Sequence, residues 1–423
     1  MQKFSLRHFG RFACFAFPAM AVVVRLVFGL SRLQDIPTDP DHYIQLGNSL
    51  ITGQGFVYDG RPTAYRPPLY PIVISPLIAI FGEGRTFHAT LVVLQAILGG
   101  ATTWLAMRTA SHVSDLLSDQ KSDSQESRLK WSSAWWITGL LTAFDPVLVS
   151  QSPLVMTETL AAFLLTGAIH AIMHDRLRSA GLWFGAAALC RPSLLACMIL
   201  TAFVRWIPTD RSPLKHRFAD SFRIAFICGI LLLPWVLRNM ARFGEPVLTT
   251  THGGYTLALA NNAVYYEDVV FGPPGAVWTG PRQQAWMDSI GTDTVGLPEP
   301  EADRRMKAKA FDFIRNHPRE FAIACIHKQL RFWAIAPSSQ VFGSRVRTIC
   351  AIWTVPFWFF ALLALRLRSS WTWPTLAILA VVTSLAMVHL VYWTDIRMRA
   401  PIVPTLAILA GIGAEPAIRG IKR

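Results

Sequence analysis

The chain has 423 residues, of which 52% are hydrophobic and only 16% are charged, and its mean hydropathy is +0.36. A soluble domain carries about 25% charged residues, so this composition excludes a soluble protein and indicates a polytopic membrane protein. The net charge is +14. Because the basic residues cluster at the ends of apolar runs, this charge follows the positive-inside pattern of membrane proteins and argues against nucleic-acid binding.

Apolar runs along the chain predict ten transmembrane helices. In chain order they cover 12–30, 86–108, 131–144, 154–173, a pair within 179–206, 222–238, 346–365, 371–392 and 398–415. The basic N-terminus is expected in the cytoplasm, and the alternation of helices then places the loop 31–68 and the segment 243–345 outside. Within the pair, Arg191-Pro192 is expected to form the outer bend, because proline disfavours helix in the residue before it.

These helices divide the chain into three predicted parts and give an all-α polytopic membrane fold. Residues 1–242 form a seven-helix transmembrane catalytic module, 243–345 form a small extracytoplasmic α or α+β segment, and 346–423 form a C-terminal three-helix part. The juxtamembrane segment 69–82 is a short apolar run that contains two prolines. We therefore expect it to lie along the membrane surface instead of crossing it.

The first outer loop carries carboxylates that are suited to proton transfer. Asp39 precedes Pro40, which favours an extended backbone, and a rigidly presented carboxylate can act as a general base toward a hydroxyl group. Asp41 has two interpretations, since it either takes part in this chemistry or caps the short helix expected from Tyr43. We favour the general base for Asp39 and the helix cap for Asp41.

The same loop closes with a basic residue of restricted conformation. Arg66 lies between Tyr65 and two prolines, and its planar guanidinium suits bidentate contact with a phosphate. The alternative interpretation is contact with a lipid headgroup at the interface.

Further polar residues fall at the same predicted face. Glu158 lies a few residues into a predicted transmembrane helix, where a carboxylate is costly unless it is paired, so it is a candidate catalytic residue. The candidates for substrate binding beside Arg66 are Tyr65, His42, Arg191, Arg238, Asn262 and Arg397.

No cluster of metal ligands is visible in the sequence. His170 and His174 have a spacing that occurs in metal sites, but no Glu follows the first histidine and both are expected at the cytoplasmic end. We interpret them as structural. We therefore expect no cofactor, while a role for a divalent metal ion stays open.

Several short motifs occur in an order that resembles the C-type glycosyltransferases, multispan enzymes that use polyprenyl-phosphate sugars. This superfamily includes protein O-mannosyltransferases and lipid A aminoarabinose transferases. The matching motifs are Asp39 with Tyr43, Gly53-Gln54-Gly55, Thr63 to Pro71, Thr157-Glu158-Thr159-Leu160, Arg191-Pro192, Pro234 to Asn239, Gly253-Gly254, Asn261-Asn262, His317-Pro318 and Phe332-Trp333. Each motif is short, and their common order and spacing carry the resemblance.

The resemblance implies roles for three residues of the outer face. The catalytic aspartate of the family corresponds to Asp39 and its phosphate-binding basic residue to Arg66. A further acidic residue corresponds to Glu158, with Asp145 as the alternative. The family's acidic pair Asp-Glu is replaced here by Asp-Pro-Asp, so the roles of Asp39 and Asp41 are partly exchangeable.

The sequence thus predicts an inverting glycosyltransferase of a bacterial inner membrane, with its active site facing the periplasm. It would move a hexose or pentose from a polyprenyl-phosphate donor to a hydroxyl group of a protein, glycan or lipid acceptor, with membrane lipids as further partners. Two other classes are a lipid or sugar transporter or flippase, and an inactive binding subunit of an envelope assembly. Internal repeats, which are common in transporters, are not visible in this sequence.

Overall fold

The structure is a computed structural model that describes residues 6–34, 39, 41–119, 133–209, 212–366 and 371–421. Pro40, which the sequence interpretation uses, lies outside these ranges. Helices dominate the described residues, and the strands in them form a single antiparallel hairpin. The predicted all-α polytopic fold is confirmed.

The first part of the chain consists of helices and this hairpin, which lies in the first loop. Its elements are α1 (Leu6–Ser31), α2 (Tyr43–Ile51), β1 (Val57–Tyr58), β2 (Arg61–Pro62), α3 (Leu69–Phe81), α4 (Arg85–Asp119), α5 (Ser133–Phe144), α6 (Pro146–Ser150), α7 (Glu158–Met173), α8 (Leu177–Cys190), α9 (Leu194–Val204) and α10 (Leu214–Phe243).

The rest of the chain comprises the external segment and the final helices. The external segment contains α11 (Gly253–Leu259), α12 (Ala263–Tyr265), a π-helical turn (Tyr266–Val270), α13 (Pro281–Thr294), α14 (Glu299–Asn316) and α15 (Pro318–Phe332). The last part contains α16 (Ser344–Arg366), α17 (Trp373–Val391), a 3-10 turn (Ile396–Ile402) and α18 (Val403–Ile421).

Every predicted transmembrane run overlaps one or two helices of the described residues. Five helical units are long and apolar enough to cross a membrane, namely α4, α10, α16, α17 and α18 with the 3-10 turn before it. Shorter apolar helices are α1 from Phe15, α3, α7, α8 and α9. The chain is therefore an integral membrane protein.

The bend between α8 and α9 forms where the sequence predicts it. α8 ends at Cys190, and Arg191 has an extended backbone with φ −144° and ψ 119°. Pro192 explains this conformation, because its ring excludes the helical conformation from the preceding residue. Since α7 and α8 are consecutive antiparallel helices, the bend brings Arg191 to the end of the bundle at which Glu158 begins α7.

Two predictions about element boundaries and type are wrong. α10 begins at Leu214 and not near residue 222, so the basic stretch expected as a cytoplasmic loop is largely helical. Asp220 in this stretch pairs with Arg205 at 3.0 Å, which offsets part of its positive charge. The described external segment contains helices and turns only, so the α+β alternative is wrong, and the strands lie in the first loop.

The buried side chain of Arg25 forms hydrogen bonds with backbone carbonyls of a neighbouring helix. Its side chain is buried in α1 and donates from Nη1 to the carbonyl of Ala143 at 2.9 Å and from Nη2 to that of Thr142 at 3.1 Å. These carbonyls belong to the last turn of α5, where no further helical amide follows to satisfy them. Gly99 of α4 provides the space, because a Cβ there would overlap the arginine side chain. Arg25 thus joins α1 to the end of α5.

Segment 69–81 forms one continuous helix, α3, despite Pro76 within it. Its buried face contains Tyr70, Ile74 and Ile78, and Ile78 packs against α2 at Gly47, where a Cβ would lie 2.5 Å from its Cδ1. This contact holds α2, the helix of the first loop, against α3. Its expected position along the membrane surface stays a prediction.

The external segment is fixed both internally and to the bundle. The amide of Gly254 in α11 donates to Oδ1 of Asp303 in α14 at 2.5 Å, and a Cβ at Gly254 would overlap the Asp303 backbone. Lys328 of α15 is fully buried, and its Nζ donates to Oδ1 of Asn261 and to the carbonyl of Val391, both at 3.0 Å. Because Val391 ends α17, Lys328 connects the external segment to the last transmembrane part.

Candidate active site

Of the two aspartates in the first loop, it is the predicted general base that caps the following helix. Oδ2 of Asp39 accepts a hydrogen bond from the amide of Ile44 at 2.5 Å, so Asp39, and not Asp41, caps the first turn of α2. The prediction of Asp41 as the cap is wrong. The backbone after Asp41 turns at His42, which has a φ of 59°.

Asp39 keeps one oxygen free in this arrangement. Its Oδ1 is buried and has no hydrogen-bond partner among the residues that the structure describes. Burial raises the pKa of the Asp39 carboxyl above its ordinary value, against the opposing effect of the α2 amides. One oxygen is therefore oriented by the helix, and the other is available to accept a proton.

Arg66 is held by one residue of its own loop and one of the external segment. Its Nη2 lies 2.6 Å from Oδ1 of Asp41, and its Nη1 lies 3.2 Å from Nε2 of His252. The guanidinium carbon lies 5.1 Å from the centre of the Tyr65 ring, within cation–π range. The sequence prediction that a loop carboxylate and Arg66 lie at the same face is therefore met in the structure, with Asp41 as the direct partner.

His252 was not predicted from the sequence. Burial and the neighbouring Arg66 place its pKa well below the ordinary histidine value, so the ring is neutral at neutral pH and accepts from the guanidinium. The ring packs edge-on against Tyr65 at 4.3 Å and stacks on Tyr255 at 5.2 Å. The sequence signal beside His252 was the pair Gly253-Gly254, which marks a close approach of two backbones. In the structure, Gly254 lets α11 approach α14 closely.

A second ion pair lies at the start of α7. Oε1 of Glu158 lies 2.9 Å from Nη1 of Arg191, and the Glu158 side chain is only 2% exposed. Arg191 also donates to Oγ1 of Thr157 at 3.1 Å and contacts Sδ of Met398 at 3.2 Å. This pair therefore joins α7 and the α8–α9 bend to the 3-10 turn. Oε2 of Glu158 has no hydrogen-bond partner in the described parts of the chain.

Arg397 belongs to the 3-10 turn whose Met398 contacts Arg191. Asp41, Glu158 and Arg191 all interact electrostatically with its guanidinium, which places the loop pair, the helix pair and the 3-10 turn around one region. Nε of Arg397 lies 3.4 Å from Oδ2 of Asp395. Within the described residues its terminal nitrogens form no hydrogen bond or ion pair, so they are available to an anionic ligand.

Two residues predicted to bind substrate contact neighbouring backbone in the structure. Arg238 donates from Nη1 to the carbonyl of Thr63 at 2.7 Å and from Nη2 to that of Phe56 at 2.6 Å, so its charge holds the first loop in place. Asn262 accepts from the amide of Tyr265 at 2.8 Å and caps α12. Neighbouring backbone therefore uses part of the polar groups of both residues, and their role in substrate binding stays a prediction.

The remaining candidates occupy the edge of the site or lie outside it. His42 is exposed and packs on Tyr58, with ring centres 4.7 Å apart. Asp145 caps α6 by accepting from the amides of Val147 and Leu148, which leaves Glu158 as the acidic residue of this region. Among the described residues there is no group of three side chains that could hold a metal ion.

The external segment also fixes the loop that carries Arg66. Oε1 of Glu299 accepts from the amide of Ala64 at 2.8 Å and from the Thr251 hydroxyl. The amide of Thr251 in turn donates to the carbonyl of Ala64 at 3.0 Å. The amide and the carbonyl of Ala64, two positions before Arg66, thus both form hydrogen bonds with the external segment.

Comparison with known proteins identifies the fold and no closer relationship. No protein-family model matches the chain, and no curated protein is similar at a significant level. Among solved structures, the archaeal oligosaccharyltransferase AglB from Archaeoglobus fulgidus, in complex with an inhibitory peptide and a dolichol-phosphate, superimposes with a TM-score of 0.55 at 15% identity. This match covers 98% of the present chain and 51% of AglB.

Two further solved structures are similar to the chain. The apo form of the same oligosaccharyltransferase gives a TM-score of 0.55 at 14% identity, over 100% of this chain and 52% of the other. ArnT from Cupriavidus metallidurans gives 0.43 at 14% identity, over 96% and 78%. The chain has the fold of the C-type glycosyltransferases, and it spans about half the length of AglB.

Proposed function

We propose that this protein is an inverting glycosyltransferase that moves a monosaccharide from a polyprenyl-phosphate donor to a hydroxyl acceptor. The observation that carries the proposal is the carboxylate of Asp39. One of its oxygens is fixed by the α2 amides, and the other is unpartnered among the described residues. Asp41, two residues further along the chain, pairs with Arg66. The C-type fold supports a lipid-linked donor, since AglB with this fold is described in complex with a dolichol-phosphate.

In the proposed reaction, the acceptor oxygen attacks the anomeric carbon and its proton passes to Oδ1 of Asp39. The bond between the anomeric carbon and the phosphate oxygen breaks, and the polyprenyl phosphate leaves with the electron pair. A single displacement inverts the anomeric configuration. The raised pKa of Asp39 favours this role, because a base is most effective when its pKa approaches the working pH.

The leaving phosphate needs positive charge, and in this proposal arginines supply it without a metal ion. Arg397 has free terminal nitrogens within the described region, while Arg66 uses one hydrogen bond from each terminal nitrogen for Asp41 and His252. Each of these nitrogens carries two hydrogens, so Arg66 keeps further donors for an oxyanion. Donors that are fixed before the reaction stabilise developing charge most effectively.

Under this proposal Asp41 and Glu158 are positioning residues. Asp41 orients Arg66, and Glu158 orients Arg191 beside the turn that carries Arg397. Tyr65 and His42 border the same loop. The acceptor, whether on protein, glycan or lipid, would enter from the side of the external segment, which contributes His252 and Tyr255.

The proposal is tested by transfer from labelled polyprenyl-phosphate hexoses and pentoses to an envelope extract, with the purified full chain in proteoliposomes. Asp39→Asn should lower the rate by about 10²–10⁴-fold, the usual contribution of a general base, while donor binding is retained. Asp59→Asn is the matched control, because Asp59 is an exposed aspartate of the same loop whose side chain bonds Gln45 and no other of the described residues.

Two results would contradict the proposal. One is release of polyprenyl phosphate by Asp39→Asn at the wild-type rate. The other is the absence of release from every donor when the control variant and the wild type are both folded and reconstituted. Arg397→Gln should weaken donor binding and leave the fold intact, which separates phosphate recognition from proton transfer.

A further inference from the structure

A second charged cavity lies at the opposite end of the bundle from the candidate active site. It has a volume of about 290 Å³ and lies between the start of α8 and the side of α10. Its lining residues are Asp175, Arg176, Leu177, Arg178, Ser179 and Arg223. Three guanidinium groups face one carboxylate, so the cavity is positively charged. Helix α7, with 16 residues, separates it from Glu158 by about 24 Å.

The arginines of this cavity have unused donors. The side chains of Arg176 and Arg178 form no hydrogen bond or ion pair within the part of the chain that the structure describes. Arg223 lies 3.3 Å from Asp220, but that carboxylate also pairs with Arg205 at 3.0 Å. The charge of the cavity is therefore not balanced by its surroundings. The Ser179 hydroxyl adds a neutral donor to the lining.

An exposed apolar surface adjoins the cavity on both helices. On α8, Leu182 lies one turn beyond Arg178 and is 51% exposed. On α10, Phe222 precedes Arg223 and Phe226 lies one turn further, and their exposed rings stack at 5.4 Å. These residues lie on apolar helices of a membrane protein, so we expect their exposed side chains to contact lipid. We call Leu182, Phe222 and Phe226 the apolar strip.

We propose that the cavity binds the phosphate headgroup of an anionic phospholipid, whose acyl chains lie on the apolar strip. Charge complementarity selects the headgroup, because several arginines with free donors recognise phosphate oxygens well. The apolar strip selects a lipid over free phosphate, since its residues continue from the cavity into the bilayer. This inference is independent of the transfer reaction, because the two sites lie at opposite ends of the bundle.

The test is lipid binding to the purified full chain, followed by native mass spectrometry in detergent. We expect dioleoyl phosphatidylglycerol to be retained and dioleoyl phosphatidylcholine to be lost. Arg176→Gln with Arg178→Gln should weaken phosphatidylglycerol binding on the order of 30-fold, from the usual contribution of two basic residues near an anionic headgroup. Arg366→Gln, an exposed arginine at the same end of the bundle, is the matched control and should bind as the wild type does.

Two further measurements distinguish the sources of the phosphate group. Phe226→Ser should weaken phosphatidylglycerol binding, and inorganic phosphate at millimolar concentration should fail to displace the lipid. Equal retention of both phospholipids, an unchanged affinity in the double variant, or full displacement by inorganic phosphate would each overturn the proposal. Melting temperatures of all variants in the same detergent separate loss of the site from loss of the fold.

Discussion

The buried pair Glu158–Arg191 gives the most direct test of how the site is assembled. Glu158→Ala removes the carboxylate that lies 2.9 Å from Arg191 and leaves the guanidinium without its counter-charge. The other side-chain contacts of Arg191, with Thr157 and Met398, are neutral. The change should therefore destabilise the junction of α7, the α8–α9 bend and the 3-10 turn.

The expected magnitude follows from burial. The Glu158 side chain is 2% exposed and that of Arg191 is 15% exposed, so solvent screens the pair weakly. Removal of one partner from such a buried pair costs about 3–5 kcal/mol. An exposed pair contributes about 0–1 kcal/mol, and Asp312 with Arg315, which are 69% and 78% exposed, provide that comparison within the same chain.

The measurement is the free energy of unfolding from SDS titration in mixed micelles. Glu158→Ala should lower it by about 3–5 kcal/mol, and Asp312→Ala should change it little. The double variant Glu158→Leu with Arg191→Met should lose less than the sum of the two single variants, because neither charge is then left alone. A small effect of Glu158→Ala, or strict additivity in the double variant, would refute this account of the junction.

Two further predictions concern the external segment. Gly254→Ala should lower stability by about 1–3 kcal/mol, since the added Cβ overlaps the backbone of Asp303, whereas Gly291→Ala, with open space around it, should be neutral or slightly stabilising in thermal unfolding. The pKa of His252 is well below the ordinary 6.5. Below pH 6.5 the histidine of the unfolded chain therefore binds a proton that the folded chain excludes, so the stability of the fold decreases as the pH falls. His252→Asn should make the melting temperature less dependent on pH between about 7 and 5, although other buried histidines keep part of the slope. An unchanged slope would show that His252 does not stay neutral beside Arg66.

The fold could be predicted from the sequence where local chemistry decides it. Apolar runs located the spanning helices, and Arg191-Pro192 located the α8–α9 bend, because proline restricts its neighbour whatever surrounds it. α10 was predicted too short because its basic first turns resemble a loop. Asp220 lies 15 residues after Arg205 and pairs with it, a contact that composition does not reveal.

The site could be predicted only in part, because its roles depend on contacts between distant residues. Asp39 and Asp41 are two residues apart, yet Asp39 reaches the amide of Ile44 in α2 and Asp41 pairs with Arg66. Arg238 looked free in sequence because the carbonyls that it contacts lie more than 170 residues away, at Thr63 and Phe56. Local sequence patterns therefore gave the chemistry of the loop but not the partner of each charge.

The contact between Ala64 and Glu299 spans 235 residues, and this has a consequence for biosynthesis. At roughly 5–20 residues per second, the ribosome needs on the order of 10–50 s to make the intervening chain. During that interval the nascent protein already carries Asp39, Asp41 and Arg66, yet it lacks the acceptor that fixes the backbone beside them. The loop therefore reaches its final geometry late in translation, after the chain through α10 has been made.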